Sequence, residues 1–470
     1  MIKEIENSYA PGEYLLIRSI DRYNEDDKVR VEFTLDNGLN TEFLWYRLNK
    51  EFEPYICDDR CDTAMASLLL SSMKKGYKVI ASDYPISEKL YYNLKYHVVP
   101  QLYSAGGGTR TSNIEIKAPI TRECFKGEIV ATGMSRGVDS FATMVEYSDF
   151  ELKDYELNAF TYFKIGAHHG FDSVMGRGKE TKDELFLHQM EGTVEFCKKY
   201  NYPLIVVESN ISAIIAQNDM FPVGRFDQTH TLRNLGVVIL LQKGIKRYYY
   251  SSTYNLDEFK VDVRKDMAYY EKWIIPHLST GSVEFYQANQ NWKRIDKIQR
   301  LVDFEPCYDY LQVCLIQTGN CGECMKCKRT LMELDAFGDD VLERFRNSFD
   351  VDRYRREFRE EWFKNIMDYK EAVGDPEAHY FEETFMTAAE HHPELLGDMI
   401  QYKEEGVEEI VSLMNNVLIR PYPSVRAVTL KILKKGDTIK YLGEWGPWIA
   451  VELENGDKGF LKKKFVEYKK

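Results

Sequence analysis

From Gly127 to about residue 252 the chain alternates short apolar runs with amphipathic stretches, and this rhythm constrains the fold more than any other feature. Ile129-Val-Ala-Thr132, Ala159-Phe-Thr-Tyr-Phe-Lys-Ile165, Leu204-Ile-Val-Val-Glu208 and Arg247-Tyr-Tyr-Tyr250 read as strands. Residues 138–147, 182–200 and 231–242 carry helical spacing between them. Strands that alternate with helices predict an α/β fold, a parallel sheet with helices on both faces.

The first strand runs into Ser135-Arg136-Gly137-Val138-Asp139-Ser140, and Phe141 onward continues as a helix. A strand, a tight glycine turn and a helix N-terminus gather backbone N–H groups and the positive end of the helix dipole around one point. The hydroxyls of Ser135 and Ser140 add donors for phosphate oxygens. An acid at Asp139 fits either Mg²⁺ ligation or a helix cap. The same spacing is also met by a plain N-capped helix after a strand, with Asp139 or Ser135 as the cap.

Further on, Cys314 is followed by six residues, Cys321, two residues, Cys324, two residues and Cys327. Thiolates at such spacings suit a knuckle around a tetrahedral Zn²⁺, with Gly322 relieving the turn. An iron–sulfur cluster can use similar spacing, and four free thiols are the plain alternative. The other five cysteines (57, 61, 124, 197 and 307) are scattered.

The 135–140 loop resembles the Ser-Gly-Gly-x-Asp-Ser motif of the PP-loop ATP pyrophosphatases, an adenine nucleotide α-hydrolase-like fold, at five of its six positions. The resemblance implies that ATP and Mg²⁺ bind on Ser135, Arg136, Gly137, Val138, Asp139 and Ser140, with Asp139 and Ser135 in catalytic roles. A substrate oxygen then attacks the α-phosphorus, pyrophosphate leaves, and a nucleophile captures the adenylate. Arg136 stands where that family has its first glycine, so it either strains a left-handed turn or swings its guanidinium onto the phosphates. The cysteine cluster is similar to the zinc site of 7-cyano-7-deazaguanine synthase, a family that converts a deazapurine carboxylate to a nitrile with ATP and ammonia. The zinc there is structural, which implies the same for Cys314, Cys321, Cys324 and Cys327. The first two cysteines stand closer together here than in that family, and the likeness covers residues from about 125 to 340.

Other candidates lie at the expected carboxyl edge of the sheet, where open α/β folds bind ligands. His168, beside His169 in a Gly166–Gly170 turn, is a nucleotide contact or an ordinary polar turn. Ser251 and Tyr254 would face the adenosine. Thr280, Lys293 and Arg294, with Lys297 beyond them, form a pocket for an acidic substrate or else a solvated helix face. His230 is a ligand or a cap-region residue.

At 470 residues the chain exceeds one ordinary core, and four regions are expected. A small N-terminal α/β domain spans 1–125, with strands near 14–20, 29–34 and 42–46 and helices near 62–75 and 87–103. The ATP-binding domain with its zinc knuckle spans 126–335, and a charged helical region spans 336–412. A small β-barrel at 415–470 resembles bacterial Src-homology-type domains through Gly446-Pro-Trp448-Ile-Ala-Val and Asn455-Gly-Asp-Lys-Gly459-Phe, which implies a protein partner. A net charge of −13 argues against a nucleic-acid partner. No apolar run reaches the roughly 20 residues that span a bilayer, and the N-terminus lacks a signal-peptide layout, so no membrane partner and a cytoplasmic location are expected. The chain is therefore expected to be an ATP-dependent ligase that adenylates a carboxylate, a deazapurine among the candidates, for capture by ammonia or an amine. Thiolation or amidation of RNA or a sugar, and a non-catalytic binding module with a decayed loop, are the rival readings.

Overall fold

The computed structural model describes residues 1–167, 181–216, 219–221, 225–314, 316–359, 403–423, 425 and 427–469, with isolated positions between 380 and 391. The chain divides into two compact units, Met1–Cys321 and Gly322–Lys470. The strands of the first unit are β1 (Tyr14–Glu25), β2 (Lys28–Asp36), β3 (Thr41–Asn49), β4 (Val79–Ser82), β5 (Ile86–Ser87), β6 (Glu115–Lys117), β7 (Ile120–Thr121), β8 (Ile129–Gly133), β9 (Ala159–Lys164), β10 (Leu204–Ser209), β11 (Ile245–Ser251) and β12 (Glu284–Ala288). Ten of them form one sheet in the order β12-β11-β8-β9-β10-β3-β2-β1-β4-β6, and β5 pairs with β7 alone.

Burial patterns follow the pairing. The core of β9 is buried without interruption from Ala159 to Phe163, as a parallel strand covered on both faces requires. In β2 burial alternates, with Val29, Val31, Phe33 and Leu35 fully buried and their neighbours half-exposed. That is the period of an antiparallel strand with one face on the core. Burying each such side chain stabilises the fold by roughly 1.5–3 kcal/mol. The two styles meet where β10 pairs antiparallel with β3, Glu208 opposite Arg47. Glu208 there receives both Lys28 at 2.7 Å and Arg47 at 3.1 Å. Residue 125, where the sequence changes rhythm, is not a break in packing: residues on both sides of it share one sheet and one hydrophobic core. Before it, antiparallel pairs join β1, β2 and β3 while β1, β4 and β6 pair parallel; after it, β8 to β12 pair only parallel with one another.

Successive side chains of β11 sort the helices. Tyr249 stacks on Tyr147 of the helix Val138–Tyr147, with ring centroids 3.7 Å apart. Its neighbour Tyr250 bonds His230, at the start of the helix His230–Leu240. Those two helices therefore cover opposite faces of the sheet. The helix Asp62–Lys75 packs on His230–Leu240, and Gly236 lets Ser67 approach so closely that a Cβ there would stand 1.8 Å from Ser67 Oγ. Strands β8 to β12 are mutually parallel, so Gly133, Lys164, Ser209, Ser251 and Ala288 end at a common carboxyl edge.

The second unit begins with the helices Met325–Asp335, Asp339–Arg344 and Val351–Glu357. Most of 360–402, where more helix is expected, lies outside the described residues. Its remaining strands are β13 (Glu409–Ser412), β14 (Val417–Ile419), β15 (Lys431–Leu433), β16 (Thr438–Trp445), β17 (Trp448–Glu452), β18 (Lys458–Lys462) and β19 (Val466–Lys469). Five form an antiparallel sheet in the order β18-β17-β16-β13-β19, over a core that includes Ile410, Tyr441, Ile449 and Leu461. β13 corrects the expected helical boundary at 412, because Ile410 and Ser412 are buried in alternation, the period of a strand. No helix among the described residues is long and apolar enough to cross a membrane.

Candidate nucleotide site and metal centre

β8 delivers the 135–140 loop to the carboxyl edge, where Met134 N donates to Thr161 O at 2.9 Å. Gly137 caps the following helix with no side-chain hydrogen bond, so neither Ser135 nor Asp139 acts as the N-cap. Ser135 Oγ instead accepts from Gly137 N at 3.3 Å, and Ser140 Oγ donates to Gly137 O at 2.9 Å. Ser135 is exposed and Gly137 and Asp139 are half-exposed, while Val138 and Ser140 are buried.

Arg136 has φ +61°, in the left-handed region that favours glycine. Its guanidinium does not lie over the loop. It is buried against Gly192, donates from Nη2 to Gln189 O at 3.2 Å, and its pKa is held below the ordinary value by desolvation. Its carbonyl accepts from Gln312 N at 2.9 Å. The expected role of the Arg136 side chain at the nucleotide is thus corrected: the left-handed turn directs it under the helix Lys182–Lys199.

Asp139 Oδ1 lies 2.7 Å from Lys297 Nζ, on the helix Arg294–Val302. Lys297 is fully buried and also donates to Ser252 O. Thr143 Oγ1 donates to Asp139 O at 3.0 Å and lies 2.8 Å from Ser251 Oγ and 3.1 Å from Asn289 Oδ1. Asp139, Thr143, Ser251, Asn289 and Lys297 therefore form one polar cluster over the ends of β8, β11 and β12. Glu146, one helical turn past Thr143, accepts from Asn289, and its pKa is raised by burial. The sequence places Lys297 beside a pocket for an acidic substrate or on a solvated helix face, not in a buried pair with Asp139. Its burial is the missing signal, and it was readable in the stripe Ile295, Ile298 and Leu301 that flanks it.

Lys293 and Arg294 open the Lys297 helix on this same edge and are half-buried, with Lys293 N bound by Asp296 at 2.8 Å. Thr280 does not join them. It precedes β12 at the opposite edge, buried, and donates to Gln242 Oε1 at 2.6 Å, so its expected place in the substrate pocket is corrected. Tyr254 stacks on Tyr269 with centroids 4.2 Å apart. His168 and His169 lie outside the described residues. His230 sits between Asp266, 2.9 Å from Nε2, and Tyr250 OH, 3.0 Å from Nδ1. Burial opposes its charge, but Asp266 and Glu271 outweigh that and raise its pKa. Glu271, itself fully buried, has its pKa pushed up to about 7 by desolvation.

The four cysteines come together. The Sγ atoms of Cys314, Cys321, Cys324 and Cys327 all lie within 4.8 Å of one another. A tetrahedral zinc with Zn–S of about 2.3 Å needs sulfurs roughly 3.8 Å apart, so the group can hold one metal ion such as zinc. Gly322 takes φ +73° between the second and third ligands. Asn320 fixes the approach, accepting from Val313 N at 2.9 Å and Cys314 N at 3.2 Å and donating to Leu311 O at 2.7 Å. Three of the thiols are buried, which suits a closed structural site.

Comparison of the chain with protein-family models, with curated proteins and with solved structures finds no match.

Proposed function

We propose that this chain is an AMP- and pyrophosphate-forming ligase of the PP-loop type. It binds ATP on the 135–140 loop and adenylates a carboxylate for capture by ammonia or an amine. The observation that carries the reading is the pairing of Asp139, in the first turn after the loop, with the buried ammonium of Lys297 at 2.7 Å. A lysine held without solvent beside a helix N-terminus puts positive charge where a pyrophosphate leaving group would need it.

The reaction begins with attack of a substrate carboxylate oxygen on the α-phosphorus. The new O–P bond forms as the bond to the β-phosphate oxygen breaks, and pyrophosphate leaves with the electron pair. The amine then adds to the acyl carbon, loses a proton, and AMP departs. Backbone N–H groups of the loop with Ser135 orient the phosphates, and Lys297 offsets the charge developing on the leaving oxygens. Asp139, one-third exposed beside Lys297, suits Mg²⁺, which when bound would supply neutralisation of the pyrophosphate. Lys293 and Arg294, on the same edge, are the candidates for the carboxylate substrate. A deazapurine carboxylate is the first substrate to try, on the family resemblance of the loop and cysteines, and the second unit is proposed to engage a protein partner.

ATP–pyrophosphate exchange with and without 7-carboxy-7-deazaguanine tests this directly. Exchange that requires the carboxylate and vanishes in Asp139→Ala is expected. A protein that binds no ATP would overturn the reading.

A further inference from the structure

Arg233 lies in the helix His230–Leu240 and is 1% exposed. Its Nη1 donates to Ser212 Oγ at 3.1 Å and to Ile165 O at 3.3 Å. Its Nε and Nη2 are buried with no hydrogen-bond partner, and among the described residues no other arginine has two such nitrogens. Desolvation lowers its pKa to about 10, which still leaves it charged at neutral pH. Asp227 and Tyr46 act on it only through the field, and the Phe226 ring lies 5.5 Å from the guanidinium carbon. A buried charge with two idle donors is costly, and folded proteins keep such a group where a ligand completes it.

Its position fits that use. Ile165 follows β9, and Ser212 lies in the helix Ile211–Ala216 that follows β10, so the guanidinium stands at the carboxyl edge, on the face opposite the loop helix. Gly166 has φ +113°, and a Cβ there would lie 2.1 Å from Ser212 Oγ and 3.1 Å from Arg233 Nη1. The backbone therefore presses on the pair and leaves room for no side chain at 166.

We infer that Arg233, held by Ser212 and the Ile165 carbonyl, is an anchor for a carboxylate of a small-molecule ligand at this edge. Nε and Nη2 form one side of the guanidinium plane, and two parallel N–H groups match the two oxygens of a carboxylate. The guanidinium draws electron density from both oxygens of a group so held, which suits an anchoring carboxylate better than a nucleophile. The inference stands apart from the adenylation reading.

The test is thermal unfolding of the full chain in sodium formate against sodium chloride at equal ionic strength, with inorganic phosphate as a third series. The wild type should gain midpoint temperature with formate in a saturable way, as binding to the folded state requires. Arg233→Met should lose that response while being at least as stable as the wild type in chloride, since the uncompensated charge is gone. Ser212→Ala, which keeps the guanidinium, should shift the formate half-saturation upward several-fold. No formate response in the wild type, or an unchanged response in Arg233→Met, overturns the inference. Stabilisation by phosphate without formate overturns the carboxylate assignment, as does ATP competing with formate. A formate response in a wild type that binds no ATP keeps the anchor and removes the adenylation reading.

Discussion

Lys297 and Asp139 are unequal partners: the ammonium is 1% exposed and the carboxylate 34%. Removing either one strands the other, and the cost depends on which is left without water. Asp139→Ala leaves the buried ammonium with one hydrogen-bond partner, the Ser252 carbonyl, and a loss of about 3 kcal/mol is expected. Lys297→Met leaves a carboxylate that water can reach, so its loss should be smaller. The double variant should recover much of the difference. Urea denaturation of the three variants measures this, and equal losses for the two single changes would refute the asymmetry. Exchange activity should vanish in both single variants. Arg136 allows a cleaner comparison, because its side chain packs away from the loop while its backbone holds φ +61°. Alanine and glycine at this position both remove the guanidinium and differ chiefly in the left-handed penalty. Arg136→Ala should therefore be less stable than Arg136→Gly by about 1 kcal/mol, with ATP affinity alike in the two.

At the scale of elements, the contact between Asp62–Lys75 and His230–Leu240 depends on Gly236. A methyl there meets Ser67 Oγ, which lies 3.2 Å from Tyr46 OH, so the hydroxyl cannot move without giving up that contact. Gly236→Ala should cost about 2 kcal/mol, typical of overpacking, and adding Ser67→Gly should restore most of it. A double-mutant cycle with no coupling would show that the helices simply shift apart. This contact also shows where the sequence was legible. The apolar stripe of Met65, Leu68, Leu69 and Met73, stopped by Gly76, matches the helix Asp62–Lys75, because local periodicity and a left-handed stop depend on no distant partner. The helix Val138–Tyr147 and strands β8 to β11 were legible for the same reason. Strand β12 was not, because Glu284, Tyr286 and Gln287 are half-exposed at a sheet edge and interrupt the apolar run. Thr280 was misplaced as a consequence: without β12 there was no way to tell which edge of the sheet it preceded. Ser87 opens a helix without capping it through its hydroxyl, which instead binds Asp62 across 25 positions of chain, a contact no local pattern records.

Within the first unit, the cysteine segment and the 135–140 loop are tied through one residue. Gln312 N donates to Arg136 O at 2.9 Å, and its Nε2 lies 3.4 Å from both Cys314 O and Gly319 O. The strained turn at Arg136 thus leans on a segment whose own shape is set by Asn320 and that carries Cys314 and Cys321 of the thiol cluster. A metal on the four clustered thiols would cross-link this segment, so its removal should loosen 312–321 first. The purified protein should contain close to one zinc per chain by elemental analysis. Chelation should lower the unfolding midpoint by several degrees, since an ion bound only by the folded state stabilises it by mass action. Well below that midpoint, the chelated protein should also bind ATP several-fold more weakly, because the carbonyl of Arg136 loses a fixed donor. Readdition of zinc should restore both. A lowered midpoint with unchanged ATP affinity would mean that the cysteines hold only their own segment. Weakened ATP binding in Gln312→Pro but not in Gln312→Ala, which keeps the donated N–H and loses only the side chain, with zinc still taken up in both, would place the coupling at that one hydrogen bond.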